Sequence, residues 1–362
     1  MMKNSVIRRI GKYIYYYLKR KISFYSSTRA FNRRYKNYKN ELFKINIDDN
    51  IIKKYREKWS KFGEKVEIDT LMLSYNLSSK LDYNIVPENL FAAIIEKELN
   101  PYKELSFFSL KNMYEKWFNN KAVFPKSYLH KIDGVFYDSD FKIIRNIDNI
   151  IEDTDFDFPI IVKPSKDSYG GAGVSKINSK IELKNKISEY QHLVCQELIT
   201  QNEYLSKINN SSVNSVRSCL YRDSSGSFKV LNNSMRFGIN GGLDNETSGG
   251  IVCNIHDNGK LNIYAVDKYA NKFYEHPNSL IRFDSVQVPF YEELNNITVD
   301  ISNQIPLCNL VSLDMCLDND NNWRCLEMNL SGQTIRFAQY AGKGFFGKYT
   351  EEVIKRTTRK FS

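Results

Sequence analysis

Residues 310–329 leave the chain few ways to fold. Leu310-Val311-Ser312-Leu313-Asp314-Met315-Cys316-Leu317 reads as one strand, Asp318-Asn319-Asp320-Asn321-Asn322 as a polar turn, and Trp323-Arg324-Cys325-Leu326-Glu327-Met328-Asn329 as the returning strand. A hairpin of this length sets Asp314 close to opposite Glu327, and alternation along a strand puts Glu327 and Asn329 on one face. Three hard oxygen donors on one surface suit a Mg2+ ion whose octahedron is completed by nucleotide phosphates. Taken alone, the same residues suit a solvated hairpin equally well.

Upstream residues favour the first reading. Residues 158–164 read as a buried strand that delivers Lys163 near its end, and Ser168-Tyr169-Gly170-Gly171-Ala172-Gly173-Val174 follows. Gly170, Gly171 and Gly173 permit positive φ and close approach of backbone N–H groups to an anion. The run fits neither the Walker nor the Rossmann pattern, because it lies between two strand patterns with a helix only after Ile177. It reads as a flexible flap beside a strand-borne lysine; considered alone, the glycines suit a plain tight turn. Residues 194–199 form another strand pattern, whose edge can offer backbone groups to adenine. Glu197 and Glu203 are placed to accept from ribose hydroxyls, with solvated acids as the alternative.

Charge is unevenly distributed. Residues 1–40 hold twelve Lys or Arg and no Asp or Glu; since the whole chain carries +10, residues 41–362 sum to −2. The basic balance therefore describes an N-terminal arm, and nucleic acid is not an expected partner of the body. Within the arm Ile7, Ile10, Ile14, Tyr17, Leu18, Ile22 and Tyr25 recur at helical spacing, with Arg8, Arg9, Lys12, Lys19 and Arg20 mostly off that stripe. A basic, tyrosine-rich amphipathic helix suits an anionic membrane surface; packing of the stripe on the protein itself is the alternative. The apolar stretch is short and lacks a small-residue cleavage site, unlike a signal peptide, and no apolar run is long enough for a spanning helix. The six cysteines are scattered without a Cys-x-x-Cys pair and read as reduced core residues of a cytosolic protein.

Helical patterns dominate to about residue 120, including an amphipathic helix over residues 111–118. Strand patterns follow at 159–164, 194–199, 216–221, 228–233, 250–255 and 261–265, with helices at 181–190 and 291–305. This order fits an α+β chain of several lobes.

Residues 105–345 resemble the ATP-grasp superfamily. The likeness is carried by Lys163-Pro164, the flap 168–173, the hinge strand 195–199, and Asp314…Glu327-x-Asn329. The separation of thirteen residues and then two is similar to the metal-ligand pattern of D-alanine–D-alanine ligases. Val216-Arg217, Met235-Arg236 and Asn245 followed by Gly249-Gly250 resemble the ribosomal-protein and poly-glutamate ligase group. Asn214-Ser215-Val216-Arg217 and Asp244-Asn245…Gly249-Gly250-Ile251 look most like the sugar-transfer-associated ATP-grasp proteins of bacterial surface-polysaccharide synthesis. Residues 1–100 lie outside the resemblance.

The resemblance implies two α+β lobes holding ATP between them. The small lobe with its flap would span residues 121–200 and the large lobe with the metal site 201–362, preceded by an N-terminal region over 66–120 and the basic helical extension 1–65. By the same resemblance Lys163 would hold the α/β-phosphates, and Ser168, Gly170, Gly171 and Gly173 would cover the β- and γ-phosphates. Glu197 and Leu198 would meet adenine, with Glu203 on the ribose. Asp314, Glu327 and Asn329 would bind two Mg2+ ions, while Arg217 and Arg236 would face the γ-phosphate and an acyl phosphate. A second phosphate lysine is expected upstream; Lys111 is the choice, with Lys121 and Lys126 as competitors. D-alanine ligases carry an arginine two residues before the metal aspartate, where this chain has Ser312, so Arg236 is expected to supply that charge; the alternative is that Arg217 and Arg236 only form salt bridges at the sheet surface. Arg236 and the backbone near Ser331-Gly332 are the candidate oxyanion donors.

The implied activity is ATP-dependent joining of a small-molecule carboxylate to an amine-bearing acceptor through an acyl phosphate, for example adding an amino acid to a surface polysaccharide or its precursor. The expected place is the cytoplasm, with residues 1–40 on the inner face of the membrane. A small-molecule or sugar kinase and a non-catalytic ATP-binding scaffold for glycosyltransferases are the alternatives.

Overall fold

The computed structural model describes residues 2–38, 40–43, 47–166, 171–245 and 248–358. Its strands form two antiparallel sheets. The smaller has the order β2-β1-β5-β3-β4, built from β1 (Ser127–Ile132), β2 (Val135–Asp138), β3 (Ile160–Pro164), β4 (Ser175–Ile177) and β5 (Leu193–Glu197). The larger has the order β10-β9-β8-β7-β6-β11-β12. It contains β6 (Ser215–Arg222), β7 (Phe228–Phe237), β8 (Ile251–Ile255), β9 (Leu261–Val266), β10 (Lys272–Phe273), β11 (Leu310–Leu317) and β12 (Trp323–Asn329). Together with the helices, this is an α+β fold.

The small sheet is amphipathic across its two faces. Leu129, Ile160, Val162, Leu193 and Cys195 pack with Ile151 and Leu183 from two helices, which leaves Lys163, Val194 and Gln196 on the opposite face by alternation and register. One of those helices, Lys180–Lys186, starts in a reciprocal cap. Ser179 Oγ accepts from Glu182 N at 3.3 Å while Glu182 accepts from Asn178 N at 2.8 Å. The β1–β2 hairpin was not anticipated; Asp133 and Gly134 turn it with φ of 51° and 80°, the two positive values a tight two-residue turn requires.

The large sheet is covered on both faces. Val311, Leu313, Met315, Met328 and Cys325 pack with Leu294 and Ile301 of the helix Tyr291–Asn303. On the other side Cys219, Tyr221, Leu231 and Leu310 pack against Tyr55, Trp59, Phe91 and Ile94 from the N-terminal helices. Those helices include Met2–Tyr35, Asp49–Trp59, Asp69–Ser78 and a helical stretch over 88–99 with a π turn at Phe91–Ile95.

Strands lie where the apolar alternation put them, with ends shifted by a few residues. Residues 111–118 differ from expectation: a 3-10 turn, Lys111–Met113, runs into one α turn, Tyr114–Trp117. Asn112 explains the break, because its amide donates to Leu193 O at 2.9 Å and ties this segment to the small sheet. All six cysteines are free and buried. No helix among the described residues is long and apolar enough to cross a membrane.

Candidate active site

Asp314 sits at the centre of the large sheet's cleft face. Its register partners are Arg217 on β6 and Glu327 on β12, so three charged side chains lie abreast across adjoining strands. Arg217 donates from Nε and Nη2 to the two Asp314 oxygens, both at 2.8 Å. Arg236 reaches from β7 and places Nη2 3.0 Å from Oδ2, and Asn329 Nδ2 donates to that oxygen at 3.4 Å. Burial alone would raise the Asp314 pKa, but the two guanidiniums outweigh it and hold the carboxyl well below the usual range. Arg236 is fixed in turn by Ser215 Oγ, at 3.0 and 2.8 Å from its nitrogens, and Ser215 donates to Asp244.

A β-bulge decides how Glu327 points. Asp314 pairs with Glu327 but Met315 with Cys325, which leaves Leu326 without a partner. Cys325 therefore turns into the core while Glu327 and Asn329 face the cleft; strict alternation would have put all three on one side.

The second half of the site comes from the small sheet and from the segment 111–117 that is bonded to it. Lys111 Nζ lies 2.9 Å from Glu327 Oε1, and its backbone N–H donates to Ser165 O at 3.2 Å, just past β3. Lys163 Nζ donates to Leu326 O at 3.3 Å. Burial first, and the neighbouring Lys111 second, push the Lys163 pKa down to about 8. Four cations thus face Asp314 and Glu327, with Asp244 at the edge, 3.8 Å from Arg236. Positive charge is in excess, as an anionic ligand requires.

Of the flap, Ser168 and Gly170 lie outside the described residues. Gly171 and Gly173 both have φ of 77°. A Cβ on Gly173 would come within 2.7 Å of Pro164, and one on Gly171 within 2.7 Å of Leu243 in the large lobe. Gly173 therefore lies against the lysine strand, and Gly171 against Leu243 in the connection between β7 and β8.

The remaining expected residues are not drawn into this cluster. Glu197 accepts from Lys126 N at 2.8 Å and pairs with Arg324, which also binds Asp318 at 3.1 Å and Phe124 O at 2.8 Å. It ties the hinge to the β11–β12 turn. Leu198 is half-buried beyond β5, and Glu203 is exposed at the start of a short helix capped by Asn202. Lys121 and Lys126 are exposed and line, with Glu115, Glu197 and Arg324, a cavity of about 490 Å3 at the hinge. That cavity is not the lysine–carboxylate cluster: Lys111, Lys163, Asp314 and Glu327 do not line it. Ser312 bonds Gln333 and Cys219, while Arg217 and Arg236 come from β6 and β7 to neutralise Asp314. The N–H groups of Gly332 and Gln333 donate to Glu96, at 3.0 and 2.8 Å, and so are not free for an oxyanion.

Two buried polar side chains had no sequence signal. Glu96 is buried, and burial pushes its pKa up to about 7 against those two N–H bonds. Gln196 shares the Lys163 face; its amide donates to Pro125 O and Ser127 Oγ, both at 3.2 Å, while Oε1 is buried with no hydrogen-bond partner among the described residues.

The donor set fits magnesium. Among the described residues no three of His, Cys, Asp and Glu gather to hold a metal by themselves. Mg2+, however, is commonly held by one or two carboxylates plus substrate phosphates, and Asp314, Glu327 and the Asn329 amide oxygen supply hard donors.

The family described as sugar-transfer associated ATP-grasp matches residues 90–354. No curated protein matches the chain by sequence. Solved structures similar to it include the ATP-grasp ligase PsnB complexed with minimal precursor (14% identity, 72% of this chain and 64% of that one, TM-score 0.40). Others are a D-alanine–D-alanine ligase from Bacillus anthracis (15%, 71% and 69%, 0.40) and an N5-carboxyaminoimidazole synthetase from Staphylococcus aureus complexed with ADP (12%, 69% and 52%, 0.40). The chain spans about half to two-thirds of the length of these structures.

Proposed function

We propose, from the premise that the chain belongs to the sugar-transfer associated ATP-grasp family, that it is an ATP- and Mg2+-dependent carboxylate–amine ligase. The observation that carries this reading is the meeting of Lys111 and Lys163, from separate segments, over Glu327 beside an arginine-bound Asp314. Lys111 and Lys163 bind the phosphates, and the flap closes over them. Asp314, Glu327 and Asn329 hold the metal, up to two ions, which when bound neutralises phosphate oxygens.

A carboxylate does not acylate amines because oxide is a poor leaving group. In the reaction proposed, a substrate carboxylate oxygen bonds the γ-phosphorus and ADP departs. The acceptor nitrogen then bonds the acyl carbon, and inorganic phosphate departs with the proton that the nitrogen gives up. Arg217 and Arg236 stabilise charge on the transferring phosphoryl group, which is alignment and electrostatics more than covalent chemistry. The acceptor class is an amine-bearing glycan or its precursor, an amino acid or similar carboxylate being the donor.

ADP release screened over amino acids and amino-sugar acceptors, with hydroxylamine present, tests the reading. A trapped acyl hydroxamate supports it, and Glu327→Ala should abolish turnover. A phosphorylated product without hydroxamate identifies a kinase; ATP binding without ADP release identifies a scaffold.

A further inference from the structure

We infer that the N-terminal helix is a docking surface for an anionic lipid bilayer. Residues Met2–Tyr35 form one helix of 34 residues. Ile14, Tyr15, Tyr16, Tyr17 and Leu18 are exposed by 51, 60, 59, 48 and 52%. At about 100° per residue, five consecutive positions look in every direction, so at this level no face of the helix rests on the body.

The helix is held further along. Arg20 donates to Phe62 O, Lys21 pairs with Glu64 at 2.8 Å, and Ser23 donates to Ala93 O at 3.3 Å. Phe24 packs against the core that holds Tyr55 and Trp59, Thr28 accepts from Asn89 at 3.1 Å, and the Tyr35 hydroxyl donates to Glu88 at 3.1 Å. Across from these contacts Ile22 and Tyr25 are each 70% exposed. Ile14, Leu18, Ile22 and Tyr25 therefore form a stripe, spaced four, four and three residues apart, that points away from the body over roughly 16 Å. The clamps make the helix a rigid mast.

Charge selects the occupant. Residues 1–40 carry twelve cationic side chains and no acidic one, so two copies of this segment repel each other, whereas anionic headgroups attract it. Tyrosine and isoleucine in the stripe supply the interfacial apolar contact, and Lys19 lies beside it with its charge in water. The helix lies on the bilayer and does not span it.

Co-sedimentation of the full chain with phosphatidylcholine vesicles, with and without about a quarter phosphatidylserine, tests this. The wild type should bind the anionic vesicles at about 0.1 M salt and release at about 0.5 M, where screening is stronger. The double variant Leu18→Glu/Ile22→Glu should bind at least ~10-fold more weakly while keeping the wild-type melting profile. Equal binding to neutral vesicles, no binding to anionic ones, or undiminished binding by a folded double variant would overturn the inference. So would lipid-free self-association of the wild type that the variant loses, since the stripe would then be covered by a second copy.

Discussion

Lys163→Met separates what the site does for the ligand from what it does to the fold. Burial and the neighbouring Lys111 lower the Lys163 pKa from 10.5 to about 8. A drop of about 2.5 units at about 1.36 kcal/mol each is roughly 3 kcal/mol, reduced to about 2 because the side chain keeps some exposure to solvent. Below pH 8 the amine is charged in both folded and unfolded chains, so the wild type carries the whole cost. Between pH 8 and 10.5 the unfolded chain binds the extra proton, and wild-type stability rises with pH relative to the variant. Methionine fills the stem without the charge. The variant should be more stable than wild type by about 2 kcal/mol near pH 7 in urea unfolding, and the gap should fall to less than half by about pH 9.5. Calorimetry should find its affinity for Mg·ATP at least ~100-fold lower. A variant clearly less stable than wild type at neutral pH, or a gap that ignores pH, would refute the argument that the amine is a desolvated cation awaiting phosphate.

Arg217→Met leaves Asp314 buried with only part of its compensation; unfolding should show a loss of about 3 kcal/mol and turnover should vanish. Glu96 has its folded pKa raised from 4.5 to about 7, so the folded protein binds the extra proton in that window. The stability of wild type relative to Glu96→Gln should therefore fall as pH rises from about 4.5 through 7 and level off above, as urea midpoints would record.

Local features were legible and long-range ones were not. The β11–β12 hairpin announces itself by alternation and by a run of Asp and Asn, and its register sets Asp314 against Glu327 as expected. Lys163 at the end of a buried strand was equally plain. Nothing nearby in sequence separates Lys111 from Lys121; what separates them in space is the Asn112 and Ser165 bonding that draws the Lys111 segment onto the small sheet. Glu96 binds N–H groups more than 200 residues away, a relation no local pattern encodes. The unpaired Leu326 is another case, because a bulge is decided by the neighbouring strands. The arginine absent before Asp314 is compensated from β6 and β7, which only strand order reveals.

The same charge pairing constrains how ligands enter. Asp314 is neutralised by Arg217 and Arg236, and Glu327 by Lys111. Phosphate can recruit these cations only if something else compensates the carboxylates, since a buried charge stripped of its partner costs about 3–5 kcal/mol. A divalent ion on Asp314 and Glu327 would do so if the cations turned to phosphate, whereas the ion alone would leave positive charge crowded around it. Mg2+ and ATP should therefore bind with positive coupling, each raising the other's affinity by the same factor. A coupling of about 2 kcal/mol is roughly 30-fold. Titrating ATP with and without Mg2+ measures it, after correction for the Mg·ATP equilibrium in solution. Glu327→Gln keeps the shape but removes one charge, so it should shrink the coupling more than it weakens ATP binding without metal. Coupling unchanged in that variant would mean that Glu327 is held by Lys111 for structure alone.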